Sequence, residues 1–94
     1  MLEDIELNGI TYNFEYIYNI DPEKADTIIC SKLIDDMIIQ FGMAYWDSYY
    51  NIVRCSINYW ATVESPYIDI ERDKKDFTEI LNIAKKELLE INKE

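Results

Sequence analysis

The sequence predicts an α+β fold: an antiparallel sheet with two helices packed on one face, built as a single domain over residues 1–94. Three observations predict it. Asn8-Gly9 sits between two alternating runs, a hairpin signal. A second alternating run covers 51–63, and two stretches, 22–41 and 73–91, repeat their apolar residues at helical spacing. The expected order is an N-terminal β-hairpin, a helix, two or three further strands and a final helix.

The hairpin is "IELNGITYNFEYIYNI". Asn and Gly both tolerate positive φ, as a two-residue turn of this kind requires. Folding there sets Leu7 opposite Ile10, Ile5 opposite Tyr12, Glu6 opposite Thr11 and Asp4 opposite Asn13, so apolar residues meet apolar ones. The second strand is expected to run inward through Phe14, Tyr16, Tyr18 and Ile20. Asp21-Pro22 then suits an N-cap and first helical position. The helix that follows would gather Ile29, Cys30, Leu33, Ile34, Met37, Ile38 and Phe41 on one face and stop at Gly42. Ile28 and Ile39 fit it badly, being apolar where that pattern asks for polar residues.

A short strand is expected at 43–48 with a turn near Asp47-Ser48, and a longer one over 51–63 until Ser65-Pro66 breaks it. "YIDIE" is a candidate last strand. The final helix places Phe77, Ile80, Leu81, Ala84, Leu88 and Ile91 in one stripe, with Asp73 or Asp76 as cap. The sheet face away from the helices would carry Glu6, Thr11, Glu15, Ile17, Arg54, Ser56, Asn58, Trp60 and Thr62. Within "CSINYWATVE", Cys55 takes an inward position and Trp60 falls in the polar row.

Composition narrows the function classes. Hydrophobic residues at 49% and charged residues at 30% are a globular balance. The opening "MLEDIELNG" has neither the basic nor the apolar region of a signal peptide, and no apolar run reaches the ~18 residues that span a bilayer, so a cytoplasmic protein is expected. Two cysteines, one on each predicted apolar face, read as reduced core thiols. Heavy use of Ile, Asn, Lys and Tyr fits an AT-rich genome, bacterial or phage.

The chain has no histidine and two glycines, which removes the commonest general base and any Gly-rich phosphate loop. A non-enzyme without cofactor or metal is expected. Asp69, Glu71 and Asp73 would share a side if extended, a pattern that can hold Mg²⁺ or Ca²⁺. Acids at a helix start explain them more simply.

The net charge is −10. Residues 1–71 hold 13 acidic and three basic residues, and residues 72–94 hold six of each. Such a surface repels nucleic acid and anionic membranes and attracts basic proteins. Seven of the 13 aromatic residues fall between Phe41 and Trp60, inside the acidic part. Carboxylates that steer and aromatics that anchor suit docking on a basic protein. The expected contacts are Glu15, Asp35, Asp36, Trp46, Asp47, Tyr49, Tyr50, Trp60 and Glu64. The expected function is an inhibitor occupying the nucleic-acid-binding surface of a nuclease or of a restriction or CRISPR effector, as a phage anti-defence protein or DNA mimic does. Alternatives are an immunity protein for a nuclease toxin and a homo-oligomeric assembly protein, a homodimer in its simplest form.

Overall fold

A computed structural model of the chain describes residues 1–57 and 69–93. Five strands run in chain order: β1 (Ile5–Leu7), β2 (Ile10–Ile17), β3 (Thr27–Ile34), β4 (Met37–Asp47) and β5 (Ile52–Ile57). Each pairs antiparallel with the next, giving the sheet order β1-β2-β3-β4-β5. The sheet curls into a half-barrel around α1 (Ile70–Ile91).

The hairpin register is the expected one, with Ile5, Glu6 and Leu7 opposite Tyr12, Thr11 and Ile10. Asn8 and Gly9 take φ of 52° and 79°. Asn13 Nδ2 donates to Asp4 Oδ1 at 3.1 Å, as their predicted facing requires. The strand ends at Ile17, however, so Tyr18 and Ile20 do not point into the core. They are 46% and 70% exposed.

The two-helix arrangement is corrected. The expected helix over 22–41 is a loop, β3, a tight turn at Asp35-Asp36 and the first half of β4. Among the described residues α1 is the only helix. Interior strands explain the misreading. Ile28 and Cys30 face the helix, while Ile29 and Leu33 line the other face, so apolar residues run without a clean alternation. Lys32 breaks the inward row. It is buried against α1, with Nζ 3.4 Å from Asp73 Oδ2. Asp35 makes the turn at φ 51°, a left-handed conformation that Asp tolerates. Ile28 is fully buried and Ile39 packs on the core, which removes the misfit they caused in a helix.

At a bulge, Cys30 pairs with Gly42 and Ser31 with Gln40, leaving Phe41 as the extra residue. A bulge bends its strand and increases twist. Here it seats Phe41 in the concave core, stacked on Phe77 with centroids 4.1 Å apart. Tyr12 meets both rings edge-on, at 5.7 and 6.3 Å. Gly42, expected as a helix stop, lies inside β4 where β5 and α1 approach closely.

Helix α1 buries the predicted stripe of Phe77, Ile80, Leu81, Ala84 and Leu88. Its cap is Asp69, not Asp73 or Asp76: Asp69 Oδ1 accepts from the Arg72 N–H at 3.1 Å. The helix starts one turn earlier than the apolar stripe implies. Asp73 instead receives Arg72 Nε and Nη2, each at 2.8 Å. That guanidinium holds its carboxyl below the usual value. Asp76 accepts from Asn8 Nδ2 at 2.9 Å and ties the hairpin to the helix.

Cys30 lies in β3, not on a helix, and burial pushes its thiol up to about 12. Cys55 faces the helix side in β5, the last strand of the sheet among the described residues, where it is exposed. Both thiols are free. Glu6, Thr11, Glu15, Ile17, Arg54 and Ser56 share the outer face, as their cross-strand partners require. Asn58, Trp60, Thr62, Ser65-Pro66 and the first two residues of "YIDIE" lie outside the described residues, and its last three are the cap and start of α1, not a strand. Among the described residues no helix is long and apolar enough to cross a membrane.

Candidate functional site

Antiparallel pairing brings the β2–β3 loop (18–26), the β4–β5 turn (48–51) and the C-terminus of α1 to one end of the sheet. This loop end is built around Asp26. Its backbone N–H donates to Ile17 O at 3.0 Å, and its carbonyl accepts from Trp46 N–H at 2.8 Å, so the loop is tied to β2 and β4. The residue is only 6% exposed, yet its carboxylate is fully engaged. Oδ2 accepts from the N–H groups of Asn19 at 2.6 Å and Ile20 at 2.9 Å. Oδ1 accepts from Asn19 Nδ2 at 3.0 Å and Thr27 Oγ1 at 2.9 Å. Burial pushes the carboxyl up, but these hydrogen bonds outweigh it and hold Asp26 below its usual value.

Asp21 does not cap a helix. Its Oδ1 accepts from Glu23 N–H at 2.8 Å and closes a turn inside the loop. The chemistry that suggested an N-cap is used for a turn instead. The helix end is fastened to the same loop by Asn92, whose Nδ2 donates to Ala25 O at 3.2 Å and Leu88 O at 3.0 Å.

Asp47 organises the β4–β5 turn. Oδ1 accepts from Tyr49 N–H at 3.0 Å and Tyr50 N–H at 3.2 Å, and Oδ2 accepts from Arg54 Nε at 2.8 Å. The Arg54 hydrogen bond is the main reason its carboxyl lies below the usual range. Arg54 also lies 5.4 Å from the Tyr50 ring centroid. Tyr49 and Tyr50 meet edge-on at 4.7 Å. They are 85% and 62% exposed, and the turn holds their backbone.

Two clefts flank the loop. One, of about 240 Å³, is lined by Trp46, Asp21, Asp26 and Lys24, with Ile20, Ser48, Asn51 and Asn92 completing its wall. The other, of about 210 Å³, holds Tyr16, Tyr18, Glu23 and Glu87, with Met1, Ala25 and Ile91 beside them. The Tyr16 hydroxyl accepts from Leu2 N–H at 2.7 Å and donates to Glu87 Oε2. Burial, then the Glu87 hydrogen bond, push the Tyr16 phenol up to about 12.

The structure brings together Trp46, Asp47, Tyr49 and Tyr50 of the expected contacts. Trp46 is half-buried and serves core and cleft at once. Asp35 and Asp36 are exposed at the opposite end, in the β3–β4 turn. The 11 residues of β4 separate the ends by roughly 35 Å at about 3.3 Å per residue. Glu15 lies on the outer face, in register with Ile29. Trp60 and Glu64 lie outside the described residues. Sequence reasoning missed Tyr18, Ile20, Asp21, Glu23 and Asp26, because their convergence depends on strand topology and no local motif marks it. Among the described residues no group of three or more His, Cys, Asp or Glu side chains is placed to hold a metal ion. No family model, curated protein or solved structure matches the chain.

Proposed function

We propose that the protein is a non-catalytic, cytoplasmic binding protein that docks through its loop end on a basic protein surface. Its partner class is a nucleic-acid-handling protein, a nuclease or a restriction or CRISPR effector, whose phosphate-binding surface it would cover as an inhibitor or an immunity protein does. The observation that carries this reading is the exposed Tyr49–Tyr50 pair, its backbone held by Asp47, its rings in edge-on contact and the Tyr50 ring beside Arg54. Exposed aromatics held in one arrangement lose little freedom on binding and are common interface anchors. The surrounding charge supports the choice of partner: Asp21, Glu23, Asp26 and Asp47 stand at this end against Lys24 and Arg54, in a chain of net charge −10.

The test is capture from a host lysate at low salt with the tagged chain, followed by elution with rising salt. A single basic nucleic-acid-handling protein, released by salt and lost with Tyr49→Ala/Tyr50→Ala, is the expected result. Reversal of Asp35 and Asp36 to lysine should leave capture unchanged, because that turn lies at the far end. Capture that survives the tyrosine double variant would reject the loop end as the docking surface.

Self-association is the second reading. The outer sheet face favours it, because Ile17, Ile29, Leu33, Met43 and Tyr45 lie there half-buried, with Glu15 towards one margin and Arg54 towards the other. A two-fold pairing could set Glu15 of one copy near Arg54 of the other. Sedimentation at two concentrations separates the readings, since a monomer at both contradicts this one.

A further inference from the structure

We propose that the two clefts at the loop end receive basic side chains of the partner, arginine in preference to lysine. The inference rests on the docking reading above and gives it a recognition chemistry. Each cleft combines aromatic surface with two carboxylates: Trp46 with Asp21 and Asp26 in one, Tyr16 and Tyr18 with Glu23 and Glu87 in the other. Among the described residues Lys24 is the only basic side chain lining either of them, and Met1, the N-terminal residue, lines the second. At about 240 and 210 Å³ both fall below the roughly 300–1,000 Å³ usual for small-molecule pockets, so they suit single side chains.

The loop 18–26 divides the clefts, so neighbouring basic residues of one partner segment could straddle it. A guanidinium fits this lining well. It is planar, weakly hydrated, stacks on aromatic faces and bonds carboxylates with two parallel N–H groups. The chain already makes this combination once at the same end, where the Arg54 guanidinium meets both the Asp47 carboxylate and the Tyr50 ring. The carboxylates are also held in place. Asp26 has all four acceptor positions filled within the loop and acts through its charge, while Asp21, Glu23 and Glu87 are the carboxylates that accept from a guanidinium, Glu87 being held by the Tyr16 hydroxyl.

The experiment is a titration of the ¹⁵N-labelled chain with the peptide acetyl-Gly-Arg-Gly-Arg-Gly-Arg-Gly-amide, followed by two-dimensional NMR. Control peptides carry lysine or the neutral isostere citrulline in place of arginine. Saturable shifts at amides 16–26 and at the Trp46 indole N–H are expected, with arginine ahead of lysine and citrulline weakest. Asp21→Asn keeps the oxygen that closes the loop turn, and Glu23→Gln alters an exposed side chain, so both variants should fold. Each should weaken the arginine peptide about two- to fivefold, the factor expected for a partly exposed charge pair. Lys24→Met should tighten it by a similar factor.

Equal binding of the citrulline peptide, shifts confined to other surfaces, or no saturable shift would each overturn the proposal. The two readings fail separately. Capture of a basic partner that needs Tyr49 and Tyr50 but ignores Asp21→Asn and Glu23→Gln would keep the docking surface and reject the clefts. Arginine-selective binding in the clefts with no basic protein captured would keep the clefts and reject the docking reading.

Discussion

Gly42→Ala tests the fold where the site depends on it. A Cβ at Gly42 would lie 2.6 Å from Ser56 O, 3.3 Å from Leu81 Cδ2 and 3.4 Å from Ile57 Cα. The first contact is at least 0.4 Å short of the 3.0 Å that real Cβ atoms keep. Leu81 can give by rotating, but Ser56 O is backbone and moves only if β5 shifts away from β4. Such overpacking costs about 1–3 kcal/mol. Replacing a mid-strand glycine returns about 0.5–1 kcal/mol. The net loss is then about 0–2.5 kcal/mol, which lowers the urea midpoint by up to about 2.5 M at a slope near 1 kcal/mol/M. The melting temperature should fall by about 4–8 °C per kcal/mol. Gly9→Ala is the control. Nothing lies within 4 Å of its Cβ position, but its φ of +79° makes an L side chain strained. It should cost about 1 kcal/mol without any contact being made. A Gly42→Ala midpoint above the parent would refute the Gly42–Ile57 register and the seating of Leu81 on it.

Four further outcomes are expected. Asp26→Asn should lose about 2–3 kcal/mol in urea unfolding, because whichever way the amide turns, two donors lose their acceptor. Asp26 and Asp73 are both held below the usual carboxylate value, so their stabilisation is complete above about pH 4 and is lost as pH falls through their lower folded values. Urea midpoints from pH 6 to pH 2 check this, and Asp26→Asn should flatten the drop. At the alkaline end, Tyr12 and Tyr16 are both raised to about 12, chiefly by burial. The unfolded chain releases those protons first, so stability falls as pH rises from about 10 towards 12. Absorbance near 295 nm should show late-ionising tyrosines, and a single step near pH 10 would contradict their burial. Finally, Asp47→Asn keeps the acceptor for the Tyr49 and Tyr50 N–H groups but loses the charge that holds Arg54. It should weaken partner capture less than Asp47→Ala, and equal loss would show that the turn geometry is irrelevant to docking.

The parts of the fold legible in the sequence are those fixed by neighbouring residues. Asn8-Gly9 specifies its turn and, with the alternating flanks, its register. The stripe from Phe77 to Leu88 specifies a helix face. What stayed hidden depends on distant partners. In β3 and β4 apolar residues occupy both faces, and Lys32 takes an inward position facing Asp73 of the helix, a partner distant in sequence. The turn between them is Asp35-Asp36, with no glycine or asparagine to mark it. With alternation erased and the turn unmarked, a helix was the natural reading. The clue lay in Ile28 and Ile39, which no single helix face could accommodate. The candidate site divides in the same way. The aromatic run Trp46–Tyr50 was visible as composition, while Asp21, Glu23 and Asp26 join it only once five strands have set which loops share an end.

The site also separates two uses of acidic residues that net charge cannot tell apart. Asp26, Asp47 and Asp73 are spent internally: each accepts hydrogen bonds from named donors and shapes a loop, a turn or a helix start. Structural charges of this kind need not meet a partner at all, yet two of them stand at the loop end, and their field acts there. Glu23, on the loop itself, is exposed and free to respond to a ligand. On the proposed reading this end offers held carboxylates and an exposed one, Glu23, beside tyrosines whose backbone the turn holds. Each fixed group spares about 0.5–1.5 kcal/mol of ordering cost that a flexible side chain would incur on binding. The Asp35-Asp36 turn has comparable local charge and an equal claim from the sequence, but the structure gives it no aromatic neighbour within its turn and no cleft among those described. Charge density alone ranks the two ends alike; rigidity, aromatic exposure and concavity together distinguish the loop end.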